Sequence, residues 1–346
     1  MKNKLSYSQV SKYSFCGEAW RLHYQERYRA DKGFSSLLFG SAIDKAMEYI
    51  LLKDKVVIPE ELKGREINEH DIFDYHWRSA HINDELVSIP SYPKMQYAKS
   101  DLDLDLLTQE EKEHAQGDTQ LLSWYSLQHK GHLMLQAFKK DVLPKIKKVY
   151  SVQEEVNLES SDSDDSVIGF CDAVLELEGY DKPIVMDFKT SAKPYDESSC
   201  VQESAQLAQY LYTLGDKYNT DLAGYIVFNK SIDKNKKKVC SKCGYDGTGA
   251  RHQKCSNEID GKRCNGEWTE TLSPSASIQI IVGTISETFT HIVIDNISAV
   301  NTAIKSGIFT KNIKGCFNNG WNRKCEYFNI CHNNDSHEFI KKEVKV

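Results

Sequence analysis

The sequence predicts an α/β fold in which helices flank a sheet, with a mainly helical insertion and a cysteine-rich insertion. Residues 167–177 and 184–190 are apolar and β-branched, and the turn-forming residues 179–183 between them predict a β-hairpin. A helix is expected over 199–217 and another strand over 222–229. A chain of 346 residues can form one large domain or two ordinary ones.

The composition, with 40% hydrophobic and 27% charged residues, is that of an ordinary soluble protein. A formal net charge of −6 excludes a protein that coats nucleic acid through overall positive charge, but not an enzyme with local basic residues. The lysine-rich runs within 139–148 and 234–238 could be such residues or solvated loops. The sequence has no apolar signal region and no stretch of 18 apolar residues, so we expect a cytoplasmic protein without membrane contact.

The predicted hairpin carries Asp172 in its first strand and Asp187 and Lys189 in its second. Carboxylates within apolar strands are costly unless their charge is compensated, and a hard divalent cation such as Mg²⁺ or Mn²⁺ does so through oxygen ligands. Residues two apart on a strand share a face, so Lys189 is expected beside Asp187. A surface hairpin with a salt bridge is the alternative for this pattern alone.

Two helices could add to this site. Asp44 lies in an otherwise apolar helix around residues 37–48, where it is either a solvated acid or a third metal ligand. On the helix predicted over 199–217, Gln202, Gln206 and Tyr210 recur every four residues and so share one face. That face could contact a substrate backbone or be merely hydrated.

The remaining predicted elements carry few residues that indicate a function. A serine-capped helix opens the chain and precedes Cys16, and residues 53–150 are mainly helical. A capping box at Thr108 predicts a long helix through His129. The acids at 101, 103 and 105 resemble the start of a calcium loop, which we reject because Leu106 replaces its glycine. Strands are expected at 150–158, 278–285 and 289–294.

Ten cysteines in a reducing compartment suggest metal sites more than disulfides, and eight of them fall into two sets of four. The first set has the spacing of a zinc ribbon, in a segment with too few apolar residues to fold without metal. It comprises Cys240, Cys243, Cys255 and Cys264. The second set has three cysteines near the end of the chain, Cys316, Cys325 and Cys331, and Cys16 could supply a fourth ligand. Three unrelated thiols or a second zinc site are the alternatives.

Together these segments resemble the PD-(D/E)XK nuclease superfamily in its RecB-type branch, and are similar to the iron–sulfur members typified by AddB and the CRISPR-associated adaptation nucleases. The resemblance covers residues 5–50, 150–230 and 278–331. It rests on the sequences SYSQVSKYSFC (6–16), FGSAID (39–44), GFCDAV (169–174) and VMDFKT (185–190), on Gln206 with Tyr210, and on the final C-x5-C.

The resemblance implies a restriction-endonuclease-like mixed-sheet core and metal-dependent cleavage of DNA. By motif position, Asp172 and Asp187 would bind Mg²⁺ or Mn²⁺ and Lys189 would be catalytic, with Asp44 in place of the usual histidine. Gln206 and Tyr210 would contact DNA. The second cysteine set would hold a [4Fe–4S] cluster, although the spacing of Cys316 and Cys325 is wider than the common C-x2-C.

The predicted organisation follows from these assignments. N-terminal helices with the cluster cysteine occupy 1–52, the helical insertion 53–148, the core 149–232, the zinc ribbon 233–275, the last core elements with the cluster segment 276–331, and a polar tail 332–346. We expect an exonuclease acting on single-stranded DNA or duplex ends in recombination, repair or replication, with a helicase or recombination protein as a candidate partner. The alternatives are a structure-specific endonuclease and a non-catalytic DNA-binding protein on a nuclease scaffold.

Overall fold

The computed structural model describes residues 4–30, 33–78, 80–82, 85–87, 95–159, 166–247, 252–317, 324–337 and 339–341. The α-helices in these ranges are α1 (Tyr7–Phe15), α2 (Gly17–Trp20), α3 (Ser35–Leu52), α4 (Glu69–Arg78), α5 (Gln109–Ala115), α6 (Thr119–Ala137), α7 (Ala205–Tyr218), α8 (Glu287–Lys305), α9 (Ile313–Phe317) and α10 (Phe328–Asn333). The strands are β1 (Lys4–Ser6), β2 (Tyr28–Ala30), β3 (Gly33–Phe34), β4 (Ala80–Ile82), β5 (Glu85–Val87), β6 (Met95–Gln96), β7 (Ile146–Glu159), β8 (Ser166–Leu177), β9 (Ile184–Ser191), β10 (Leu222–Cys240), β11 (Glu258–Ile259), β12 (Lys262–Arg263), β13 (Trp268–Thr284) and β14 (Phe339–Lys341).

The centre of the fold is a six-stranded mixed sheet, in the order β1-β8-β9-β10-β13, with β7 also paired to β8. The pairs β1–β8 and β9–β10 are parallel, whereas β7–β8, β8–β9 and β10–β13 are antiparallel. Helices cover both faces, because α3, α4 and α6 bury one face while α7 covers the other. The predicted α/β fold with a central mixed sheet flanked by helices is confirmed.

One edge of β8 is open between two partner strands. Strand β7 pairs along nearly the whole of β8, so β1 and β9 must share its opposite edge. There β1 pairs with 166–168, and β9 pairs with 173–175. Residues 169–172 are left between them, and α1 begins directly after β1 with Ser6 as its N-cap. This gap positions the candidate site described below.

Three predictions of secondary structure are wrong. Residues 289–294 lie in α8 rather than in a strand, because Ser286 caps the helix and Val293, Ile297 and Val300 bury one helical face. The capping box at Thr108 is present, but its helix ends at Ala115 and Asp118 caps a new one.

The third difference concerns the helix predicted over 199–217. Helix α7 begins only at Ala205, after the Ser204 cap, so Gln202 precedes the helix. Gln206 and Tyr210 alone remain one turn apart on it.

The cysteine-rich insertion is carried on the tip of a long hairpin. Strands β10 and β13 remain paired out to Cys240 and Trp268, well beyond the strand ends expected from the sequence. At the base of this hairpin, Lys234 pairs with Asp103 at 2.9 Å and with Asp105 at 2.5 Å, while buried Asp101 lies 3.7 Å from Lys230. The three acids at 101, 103 and 105 therefore attach the hairpin to the mainly helical region. No helix in the described parts of the chain is long and apolar enough to cross a membrane.

Candidate active site

The two acids of the hairpin lie where β8 and β9 stop pairing. Their ladder ends with Ala173 opposite Met186, so Asp172 and Asp187 come next on the two strands. Since the ladder has ended, the Phe188 N–H is free, and it donates to Asp172 Oδ2 at 2.6 Å. On the other side Gln153 Nε2 donates to Asp172 Oδ1 at 3.2 Å. Asp172 is thus fixed from both neighbouring strands.

Lys189 is held between an acid and an amide. Its ammonium forms an ion pair with Asp187 and donates to Gln206 Oε1 at 3.1 Å. Gln206 Nε2 in turn donates to the Tyr210 hydroxyl at 2.8 Å, and that hydroxyl donates to the Phe170 carbonyl at 2.7 Å. This chain of contacts crosses from β9 over α7 to the open edge of β8.

Burial and mutual repulsion make these carboxylates hard to ionise. Burial, followed by the charge of Asp187, raises the pKa of Asp44 to about 7. The pKa of Asp172 is raised well above its ordinary value by burial, by Asp187 and by Asp44. Burial also raises the pKa of Asp187, although Lys189 opposes this. Because α3 packs against β9 and the charge of Asp187 contributes to the raised pKa of Asp44, α3 brings its acid near the same site.

For Lys189, the charge of a neighbour outweighs the effect of burial on the pKa. Burial alone would lower the pKa of Lys189, but Asp187 outweighs it and raises that pKa above its ordinary value. Lys189 therefore stays protonated. The site combines one fixed cation with three carboxylates that need further positive charge to be ionised together.

This donor set fits a divalent cation that prefers oxygen ligands. Asp187 is 2% exposed, and its Oδ2 is buried without a regular hydrogen bond, in contact with Lys189 only as an ion pair. A cation beside Asp172 and Asp187 would compensate both charges. The carboxylate oxygens of Asp44, Asp172 and Asp187 do not all lie within 4.8 Å of one another. Among the described residues, only the four-cysteine set meets that limit of 4.8 Å.

The structure also adds residues that the sequence did not single out. Tyr7, the first residue of α1, is partly buried and feels the charges of Lys189 and Asp187, although burial is the main reason that its pKa is raised. Gln153 lies on β7 with a positive φ of 52°. Tyr7 lies within the SYSQ motif, but nothing in the sequence marks Gln153.

The two residues predicted to contact DNA differ in exposure. Tyr210 is only 2% exposed, and its hydroxyl already has partners on both sides. Gln206 is less buried and lines two clefts beside the site. The structure thus brings Asp44, Asp172, Asp187, Lys189, Gln206 and Tyr210 together at one place.

The first cysteine set forms a compact site at the hairpin tip. Cys240 Sγ lies 3.6 Å from Cys264 Sγ, and Cys243 Sγ lies 3.7 Å from Cys255 Sγ. Zinc–sulfur bonds of about 2.3 Å in a tetrahedron place sulfur atoms about 3.8 Å apart. The four thiols are therefore spaced as a single tetrahedral zinc ion requires.

The second cysteine set joins the two ends of the chain. Cys16 and Cys325 lie in one buried cluster, with Cys331 packed against it, and the Cys325 N–H donates to the Cys316 carbonyl at 2.9 Å. Burial, and then the charge of Cys16, raise the pKa of Cys316, whereas the charge of Lys311 opposes this. The four sulfur atoms do not all lie within 4.8 Å of one another. These four thiols are therefore not arranged around a single metal ion as the first set is.

The family follows from a comparison with known proteins. A family model for the PD-(D/E)XK nuclease superfamily matches residues 4–332, and the chain belongs to that superfamily. Among solved structures, it is similar to an Eubacterium rectale protein provisionally described as an exonuclease, with 11% sequence identity and a TM-score of 0.44 over 99% of this chain and 91% of that one. A similarity this distant carries no argument about activity. No curated protein matches the sequence.

Proposed function

We propose that the chain is a Mg²⁺- or Mn²⁺-dependent deoxyribonuclease that acts as an exonuclease on single-stranded or end-containing DNA. The observation that carries this proposal is the grouping of Asp172, Asp187 and Lys189 where β8 and β9 stop pairing, with Asp44 of α3 near enough for the charge of Asp187 to raise its pKa. A structural salt bridge would need only one of the acids. One buried and two half-buried carboxylates beside one ammonium are destabilising when all are ionised, unless a cation joins them.

The chemistry is divided between the acids and the lysine. A divalent ion bound by Asp172 and Asp187, with Asp44 nearby, would lower the pKa of a water and polarise the phosphate. Lys189 stays protonated and is aimed by Gln206, so it can hold the attacking water and offset negative charge in the transition state. The Phe188 N–H keeps one oxygen of Asp172 fixed throughout. No covalent intermediate on the enzyme is needed.

End-labelled linear DNA and closed circular DNA, each incubated with Mg²⁺, Mn²⁺ or EDTA, test this proposal. An exonuclease degrades linear DNA when metal is present and leaves closed circles intact. Cutting of duplex circles would favour the structure-specific endonuclease. Binding without any cleavage would favour the non-catalytic DNA-binding protein.

The cysteine sites belong to the same proposal. The sulfur spacing at Cys240, Cys243, Cys255 and Cys264 supports structural zinc. For Cys16, Cys316, Cys325 and Cys331 we propose a [4Fe–4S] cluster, which would place the chain near the AddB-like branch. We also propose a cytoplasmic location. A helicase or recombination partner is suggested by the family resemblance alone.

A further inference from the structure

Two open clefts meet beside the candidate site, at the first turn of α1. One, of about 470 Å³, follows the open edge of β8 from Leu5 to Phe170. The other, of about 690 Å³, follows α1 toward Phe15 and Phe34. The two clefts therefore extend in different directions from a common point.

That common point is next to the catalytic lysine. Three residues line both clefts, namely Tyr7, Ser8 and Gln206. Gln206 accepts a hydrogen bond from Lys189 Nζ at 3.1 Å, so the junction is one side chain away from the ammonium. A chain that occupied both clefts would pass the reacting groups at its middle.

The walls of the clefts offer aromatic surface and little free charge. Phe170 is 52% exposed in one cleft, and Phe34 is 39% exposed in the other. The charged residues lining either cleft are Lys12 and Glu326, which pair with each other at 2.5 Å. A duplex presents mainly phosphates and would need cations here, whereas a single strand can turn its bases onto aromatic rings.

We propose that the two clefts form one groove for single-stranded DNA, with Phe170 and Phe34 stacking against bases on opposite sides of the scissile phosphate. This inference rests on the proposed deoxyribonuclease function and specifies the form of its substrate. Because both clefts are open to solvent, nothing in the described part of the chain requires a free DNA end at the reacting groups. We therefore expect the first products released from the DNA to be short oligonucleotides rather than mononucleotides.

Binding of a fluorescent oligothymidylate, measured by anisotropy in EDTA, tests the groove without cleavage. The variants are Phe34→Ala and Phe170→Ala, and Tyr212→Ala is the matched control because Tyr212 is an exposed aromatic outside the lining of both clefts. Each groove variant should weaken binding by roughly five- to a hundred-fold, as expected for loss of one stacked base. Phe34→Trp should retain binding, and the affinity for duplex should not change.

The outcomes separate this inference from the proposed function. If Phe34→Ala and Phe170→Ala bind like the Tyr212→Ala control while the unmodified protein still degrades DNA with Mg²⁺, the groove is wrong and the nuclease stands. If only one of the two variants loses binding affinity, the proposal of a groove with stacking on both sides is wrong. If both variants lose affinity but no DNA is cut with any metal, the groove stands and the nuclease does not. Mononucleotides as the sole first products would contradict the open groove.

Discussion

Replacing Tyr210 by phenylalanine removes one hydroxyl from the contacts that orient Lys189, the lysine that we propose to be catalytic. That hydroxyl donates to the Phe170 carbonyl and accepts from Gln206, which itself accepts from Lys189. The aromatic ring and its packing are kept, because Tyr210 is 2% exposed and phenylalanine has the same shape without the oxygen. The substitution therefore tests the hydrogen bonds rather than the core.

The expected size of the effect follows from the groups left behind. The part-buried Phe170 carbonyl and the Gln206 amide N–H lose their partner, and an unsatisfied group costs about 1–3 kcal/mol when it is fully buried. Gln206 borders open clefts, so water can replace its lost bond, and the net loss in free energy of unfolding should be about 1–2 kcal/mol. With Gln206 no longer fixed, the Lys189 ammonium is misplaced, and kcat should fall roughly ten- to a hundred-fold.

Urea denaturation and steady-state cleavage of an oligonucleotide measure the two effects. Tyr212→Phe is the matched control, since Tyr212 lies on the same helix and is 49% exposed. We expect Tyr210→Phe to lower both stability and kcat with little change in KM. If the hydroxyl contacts DNA instead, KM rises and stability is unchanged. Equal behaviour of Tyr210→Phe and the control would refute the positioning role.

Three further predictions concern the rest of the chain. Elemental analysis should find zinc in the protein, and Cys243→Ser at the hairpin tip should contain one zinc ion fewer. Undiminished zinc in that variant would rule out the ribbon. Anaerobically purified protein should be brown, with a broad absorbance near about 400 nm. Cys16→Ser should remove the colour and lower thermal stability, because a shared cluster closes a loop of about 300 residues, which is worth about 5–6 kcal/mol in the simplest model. Colourless protein with two zinc ions would contradict the cluster. Burial, then the charge of His132, whose ring stacks on His70, lowers the pKa of His70 below 6.5. Lys139 acts in the same direction, and Glu69 and Asp74 oppose it. The stability that comes from neutral His70 is therefore present above pH 6.5 and is lost as the pH falls toward the folded pKa. The decrease in the urea midpoint between about pH 7.5 and about pH 5.5 should be smaller in His70→Gln, but not in the exposed control His291→Gln.

The grouping of charged residues at the candidate site could be predicted from the sequence, because two apolar strands carry acids whose charges need compensation. The register of the hairpin then follows from the turn, so the neighbouring positions of Asp172 and Asp187 were predictable. The contact of Gln206 with Lys189 could not be predicted, because it depends on how α7 packs over the sheet. The free edge of β8 depends on β1, which lies about 160 positions earlier in the chain. Local patterns carry no information about such a distant pair.

The errors in secondary structure have related causes. Residues 289–294 are rich in β-branched side chains, yet the burial of Val293, Ile297 and Val300 against neighbouring helices overrides that local preference. The helix that begins after Thr108 ends because Gln116 and Gly117 adopt positive φ, and only the Gly117-Asp118 pair was a visible signal of that end. The long pairing of β10 with β13 could not be predicted, because its outer part is exposed and rich in lysine rather than apolar.

The most direct test of the central claim is the rate of Mg²⁺-dependent DNA hydrolysis by Asp187→Asn compared with the unmodified protein. Asp216→Asn is the control, since Asp216 is an exposed acid on α7. The exchange of one carboxylate oxygen for an amide keeps the shape of the side chain but weakens the metal site and removes the charge that faces Lys189. We predict loss of hydrolysis in Asp187→Asn with an unchanged circular dichroism spectrum, and a normal rate in the control. A near-normal rate in Asp187→Asn would mean that the hairpin is not the active site.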